Sequence, residues 1–257
     1  MGTVQTHLFR LGALAVACAT TLAVAADTAD AATPATGSTA NSGQSNAAPA
    51  SLSGLKARAV ADVNDRVNAL NAAIDRANAA KGLGSGQGTL VAYLGNDVTP
   101  LQQLNTKIQG DTTYKQALAD FQDIFTNFRV YVLVLPVAAI GGNSFRATNT
   151  LIPNLTTAST KAQAHVTDNN RSVLQPLIDD LNTQIAAATG ANNGLADPVL
   201  AFTPAQWNAN HDLLSPAKAQ DQTSDTAVQR GRSDVQDIWQ VLRGSTSRVG
   251  GGATATG

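Results

Sequence analysis

Val60, Val63, Val67, Leu70 and Ile74 recur at alternating spacings of three and four residues. That rhythm puts them on one face of an α-helix and matches the a/d pattern of helices that pack along their length. It predicts a helix over 55–81, with Gly82 placed to stop it. Near the other end Val228, Val235 and Leu242 repeat every seven residues with Ile238 between them. Ser215-Pro216 supplies a cap and a first-turn proline there, and Gly244 a terminator. The expectation is that these two long helices pair with each other.

The intervening sequence keeps the same period. Thr99-Pro100 opens LQQLNTKIQ, and Asp111 stands as a cap before TTYKQALADFQDIFTNF. Val173, Leu174, Leu177, Ile178, Leu181 and Ile185 stripe a helix expected to end at Gly190, and Thr203-Pro204 opens one more short helix. There is no exact internal repeat and no run of alternating strands from which to build a sheet. The fold class expected is all-α: an elongated antiparallel bundle with coiled-coil-like a/d packing, one domain over residues 54–244.

Composition sharpens this. The chain is 43% hydrophobic but only 4% aromatic and 14% charged, and alanine supplies much of the apolar share. Each buried position then removes little surface from water, so the core is expected to be thin. The formal charge of −1 excludes a nucleic-acid coat or an acidic solvating tail as the whole-chain design, and no nucleic-acid partner is expected. No glutamate occurs anywhere, which removes HExxH zinc peptidases, standard EF-hands and Glu-based glycosidase pairs.

The first residues read as an export signal. Arg10 is followed by an uncharged stretch over 11–26, and Ala29-Asp30-Ala31 gives a small-x-small cleavage pattern, so residues 1–31 are expected to be removed and the mature chain to start near Ala32. The apolar stretch falls short of the ~20 residues that span a bilayer and is followed at once by Asp27. A retained N-terminal anchor, myristoylation on Met1-Gly2 with Thr6, and a lipobox at Ala17-Cys18 are the competing readings. Cleavage would remove Cys18, the only cysteine, leaving no disulfide or thiolate chemistry. Residues 32–53 and 245–257 are small, polar and aperiodic, and read as a disordered linker and tail.

One stretch resists the helical pattern. Phe128 to Ile140 is β-branched and apolar and contains Pro136. As a strand it would need a partner, and only Leu90 to Leu94 offers one, so a buried helix disrupted near Leu135 is favoured.

Chemistry is sparse. The loop Gly82-Leu-Gly84-Ser-Gly86-Gln-Gly88 imitates a phosphate cradle but follows a helix and lacks the Lys-Ser/Thr step, so it reads as a turn. His165 and His211 are the histidines of the processed chain, fewer than the usual ligand set, and no metal or cofactor is expected. Asp120 and Asp123 share a helix face as a carboxylate pair would, or as two solvent-facing residues would. No GxSxG elbow supports a serine triad, and no catalytic residue is assigned. Arg230, Arg232, Arg243 and Arg248 alternate with Asp234 and Asp237 as on a solvated face. The densest run of functional side chains is Trp207-Asn208-Ala-Asn210-His211. On a helix begun at Pro204, Trp207 and His211 stack at i, i+4, and with Asn208 and Asn210 they could hold a sugar or peptide; alternatively Trp207 plugs a corner of the core.

Two segments, Asp111-Thr-Thr-Tyr running to Arg129-Val-Tyr-Val-Leu-Val-Leu-Pro136 and Trp207-Asn-Ala-Asn-His211 to Ser215-Pro216, resemble those of secreted, alanine-rich, all-helical actinobacterial proteins without an assigned activity. The resemblance covers about residues 55–243. It implies an exported helical bundle and transfers no active-site residue. Where it implies a basic residue after the Leu-Pro step, this chain has Val137. The expectation for function is an exported, non-enzymatic scaffold or binding module contacting protein, peptide or cell-wall carbohydrate, with the oligomeric state open. The alternatives are a membrane-active protein inserting 128–140 and a secreted hydrolase of wall polymer or peptide.

Overall fold

A computed structural model describes residues 51–249, with side-chain surroundings to residue 244. The signal segment with Ala29, Ala31 and Ala32, and nearly all of the expected linker, lie outside the described residues, as does the tail beyond 249. The described chain is all-α. Its helices are α1 (Leu52–Ala79), α2 (Gly86–Gly95), α3 (Val98–Gly110), α4 (Tyr114–Asp123), α5 (Leu135–Arg146), α6 (Ile152–Gln163), α7 (Arg171–Asn192), α8 (Ala196–Leu200), α9 (Pro204–Ala209) and α10 (Ser215–Val249). Helix therefore starts at Leu52, capped by the Ser51 hydroxyl on the Gly54 amide, and continues through Gly244, which terminates nothing. Thr113, not Asp111, caps α4, in a capping box with Gln116.

The two long helices do not pair with each other. The principal core packs α1 against α2, α3 and the segment around Val130–Ala138, whereas α10 lies along α7 and touches α6. The buried faces explain the difference. In α1 the buried residues are Leu55 and Val67 together with two lines of seven-residue spacing, Ala59, Arg66 and Ala73, and Val63, Leu70 and Ala77. Val60 and Ile74 are only half-buried beside those lines. In α10 the buried residues are Ala217, Ser224, Ala227, Val228, Gly231, Asp234 and Ile238, so Val228 and Ile238 of the expected repeat are inside while Val235 and Leu242 flank them. Both repeats are real, and on each buried face small residues alternate with branched ones. Such a face gains most from close backbone approach, and Gly231 of α10 sits directly on Leu155 and Leu181. On α7 the stripe is Leu174, Ile178, Leu181 and Ala188, and Val173 is exposed, so it is not part of that stripe.

The apolar stretch 128–140 is helical but broken differently from expectation. Ile124–Phe128, Val130–Val134 and Ala147–Leu151 are π-turns, and Arg129, between the first two, is left-handed at φ 48°. Two of the turns have a proline at the second residue of the helix that follows, Pro136 and Pro153. A proline has no N–H, and its ring crowds the carbonyl four residues back; widening the turn relieves both. The Leu135 amide accordingly reaches the Val130 carbonyl, and the Ile152 amide that of Ala147. The segment is apolar because it is buried on two sides. Val130, Val134 and Ala138 enter the principal core, and Leu133, Val137 and Ile140 enter a second one with Leu195, Val199, Leu214 and Ala217.

The glycine-rich loop is a clamped turn. Gly82 and Gly84 have positive φ, which only glycine adopts at little cost. From the third π-turn, Thr150 Oγ1 donates to the Gly82 carbonyl (3.0 Å) and Asn149 Nδ2 to that of Leu83 (2.8 Å). Gly86 is pressed against Phe145, so that a Cβ there would fall within the ring, whereas nothing surrounds Gly88. Gly86→Ala is therefore expected to cost about 1–3 kcal/mol through overpacking. Gly88→Ala, in open space on the same helix, should gain about 0.5 kcal/mol. Chemical denaturation of the two variants should give shifts of opposite sign.

Candidate functional site

The residues singled out around α9 are brought together but mostly occupied with structure. Thr203 caps α9 in a box with Gln206. Asn208 Oδ1 accepts from Arg129 Nε at 2.7 Å and its Nδ2 donates to the Thr126 carbonyl at 2.9 Å, so one amide holds both sides of the left-handed step. Asn210 Oδ1 accepts from the Asp212 amide in the turn into α10. Trp207 is partly buried on the second core, with its ring 5.6 Å from that of exposed His211. Trp207→Ala and His211→Ala would thus probe different things, packing and surface. Asp120 is buried, not solvent-facing, and accepts from Lys107 Nζ at 2.8 Å, which holds the lysine charged. Asp123 accepts instead from Asn127.

Across from Asn208 lies a strip that the sequence patterns did not single out. Arg66 occupies a core position of α1 and is only 7% exposed. Its Nη1 donates to the Asp62 carbonyl at 2.7 Å, and its guanidinium lies 4.7 Å from the Phe125 ring centre and 5.2 Å from that of Tyr131. Two turns earlier Arg58 covers Phe121 at 5.5 Å, and Phe121 meets Phe125 edge-on at 5.1 Å. A cation between aromatic faces is stabilised by ring quadrupoles, about 0.5–2 kcal/mol per contact as water is excluded. Asp62 balances both arginines loosely, at 3.9 Å from each. The sequence signal was the seven-residue line Ala59, Arg66, Ala73, in which a cation at a core position demands partners. The strip's outer edge is open: Phe125, Tyr131 and Val132 are exposed, the latter two by 49% and 45%.

Half-buried carboxyls form a third feature. Burial pushes Asp221 on α10 up to about 6 despite a hydrogen bond from Asn143 Nδ2 (3.1 Å), and nearby Asp225 adds to the rise. Burial likewise raises Asp97 to about 6, and raises Asp225 against the pull of Arg146 and Arg232. Asp234 is raised by burial, then by Asp180 and Asp237. Among the described residues no group of three or more His, Cys, Asp or Glu is placed to hold a metal ion. A shallow groove between α7 and α10 is lined mainly by small residues, among them Ala187, Gly190, Ala219 and Thr223.

No family model, no curated protein and no solved structure matches the chain.

Asn208→Ala removes both hydrogen bonds across the left-handed step and should cost about 1–2 kcal/mol in thermal or urea unfolding. The raised carboxyls set a second expectation. The folded protein holds their protons more tightly than the unfolded chain does. The stabilisation is thus complete below the ordinary carboxyl pKa and is lost as pH rises through about 6. The contribution of these groups should raise the melting temperature at about pH 4.5 relative to about pH 7.5, and Asp221→Asn should flatten that difference.

Proposed function

We propose that this protein is exported and acts without chemistry of its own, as an extracytoplasmic scaffold or binding module whose contact face is the arginine–aromatic strip. The observation that carries this reading is the placement of Phe125, Tyr131 and Val132. They are exposed on a segment whose neighbouring apolar residues are buried or half-buried, and they are fixed in place by Arg66 and by the Asn208 hold on the left-handed step. Rigid aromatic side chains with an arginine between them lose little entropy on binding, and such residues dominate the energetics of protein contacts. Export rests on the signal pattern of residues 1–31 with cleavage near Ala32.

Membrane insertion of 128–140 is the second reading. The helical run Tyr114–Gln163 is long and apolar enough to cross a membrane, with half of its most apolar stretch buried. Val130, Leu133, Val134, Val137 and Ile140 are almost wholly inside two hydrophobic clusters, so insertion would dismantle both. Contact through the exposed edge costs no such disruption and is preferred.

Fractionating a producing culture and reading the N-terminus by mass tests the reading. A chain starting near Ala32, found outside the cytoplasm and retained by isolated envelope, is the expected result, with retention falling about fivefold or more in a Phe125→Ser/Tyr131→Ser variant. An intact N-terminus in the cytosol, or unchanged retention of that variant with its fold preserved, would overturn the reading.

A further inference from the structure

We infer that Asn193-Gly194 is a self-modification site: the turn after α7 deamidates through its own backbone and thereby loosens the tie between α7 and α10. Asn-Gly occurs once in the chain. Glycine is the following residue that least obstructs ring closure onto an asparagine, because no Cβ shields its amide nitrogen. The fold leaves this pair open. Asn193 is the exposed, extended cap that ends α7, at φ −63° and ψ 109°. Gly194 is exposed and left-handed at φ 67°, with nothing within 4 Å of where a Cβ would stand. Among the described residues no hydrogen bond engages the Gly194 amide or the Asn193 side chain.

The reaction needs only water. The Gly194 amide nitrogen gives its proton to solvent base and attacks Cγ of Asn193. The bond from Cγ to the side-chain nitrogen breaks, and that nitrogen leaves as ammonia after taking a proton from solvent. The product is a five-membered succinimide, in which the Gly194 nitrogen is bonded to both carbonyl carbons of residue 193. Water then adds to one of these carbonyls. Opening at Cγ gives aspartate with the original backbone, whereas opening at the main-chain carbonyl gives isoaspartate, whose chain runs through Cβ and Cγ. No group is oxidised or reduced, and the sum is one water consumed and one ammonia released. Asn143-Ser144 is protected by contrast: it lies inside α5, where the main-chain amides are bonded along the helix, and Asn143 Nδ2 donates to Asp221 at 3.1 Å.

Position gives the change its effect. Asn192, only 7% exposed, ties the end of α7 inward: its Nδ2 donates to the Ala188 carbonyl at 2.8 Å and to the Ser224 hydroxyl of α10. Its Oδ1 is buried without a partner among the described residues, so no second bond backs the tie. On the other side of the turn Leu195 donates its amide to the Asn192 carbonyl at 3.2 Å and is buried in the second core with Val199. Either product places a carboxylate at the C-terminal end of α7, where the helix dipole is already negative. Isoaspartate also lengthens the main chain by a methylene between two buried anchors. Both changes pull on the Asn192–Ser224 contact, and neither is undone by water.

Peptide mapping by mass spectrometry tests this on the full chain, fresh and after incubation in mildly acidic or mildly alkaline buffer. The expected result is O in place of NH at residue 193, as a mixture of aspartate and isoaspartate that accumulates faster in the alkaline buffer. Isoaspartate is the signature of the ring, since direct hydrolysis of the side chain gives aspartate alone. Conversion at Asn193 should be at least about tenfold faster than at Asn143, whose helix must first open. Asn193→Gln, which would have to close a six-membered ring, should lose the conversion. Aged protein should exchange amide hydrogens faster than fresh protein at the end of α7 and around Ser224, with α1 unchanged, and aged Asn193→Gln should match fresh protein. No conversion at 193 in the folded chain, aspartate without isoaspartate, or equal rates at 193 and 143 would overturn the modification site. Conversion that leaves exchange around Ser224 unchanged would overturn the loosening of α7 from α10.

Discussion

Close approach between helices is the constraint from which this architecture follows. With alanine supplying much of the apolar surface, a buried position contributes little unless backbones come near one another. The two longest helices meet that requirement in the same way. Ala59, Ala73 and Ala77 line the centre of α1, and Ala217, Ser224, Ala227 and Gly231 that of α10. Larger residues from neighbours then fill the remaining space, as Leu155 and Leu181 do over Gly231. Thin faces of this kind are not interchangeable, so each long helix finds its own partners and two separate clusters form around them.

Much of this was legible in the sequence. The spacing of Val63, Val67 and Leu70 located α1, the positive-φ glycine at 82 marked its end, and Thr203-Pro204 opened α9 where expected. What periodicity misplaced was the centre of each face. A reading that weights Val60, Ile74, Val235 and Leu242 by hydrophobicity overlooks alanine and glycine, yet these share the buried face with Val63, Leu70 and Ile238 while Val60, Ile74, Val235 and Leu242 stay half-buried. The pairing of α1 with α10 was lost for the same reason, since spacing describes a face but not what fits against it. Asp120 shows a related limit, because its burial depends on Lys107 arriving from α3.

Around the candidate site the legible part was identity and the illegible part was use. Trp207, Asn208, Asn210 and His211 do come together, but hydrogen bonds to Thr126, Arg129 and the turn at Asp212 consume the amides. Arg66 lies between Val63 and Val67 on α1, and the apolar spacing that located the helix does not register an arginine. Its burial is made favourable by the Asp62 carbonyl together with two rings from a segment about sixty residues away. Those rings meet the arginine through a backbone irregularity that no spacing rule anticipates.

The prolines at 136 and 153 have an effect larger than their own footprint. A π-turn accommodates an additional residue within one turn, so everything downstream is rotated relative to a continuous α-helix. Between Tyr114 and Gln163 the angular phase of the apolar stripe is thereby reset more than once. A uniform helix would carry one stripe and face one neighbour. The run instead serves two clusters from two sides over 130–140 and turns one short arc, at Tyr131 and Val132, out of both. Two imino acids thus act as angular gears, and the face that a helix presents is set by where its rotation is interrupted as much as by which residues it contains.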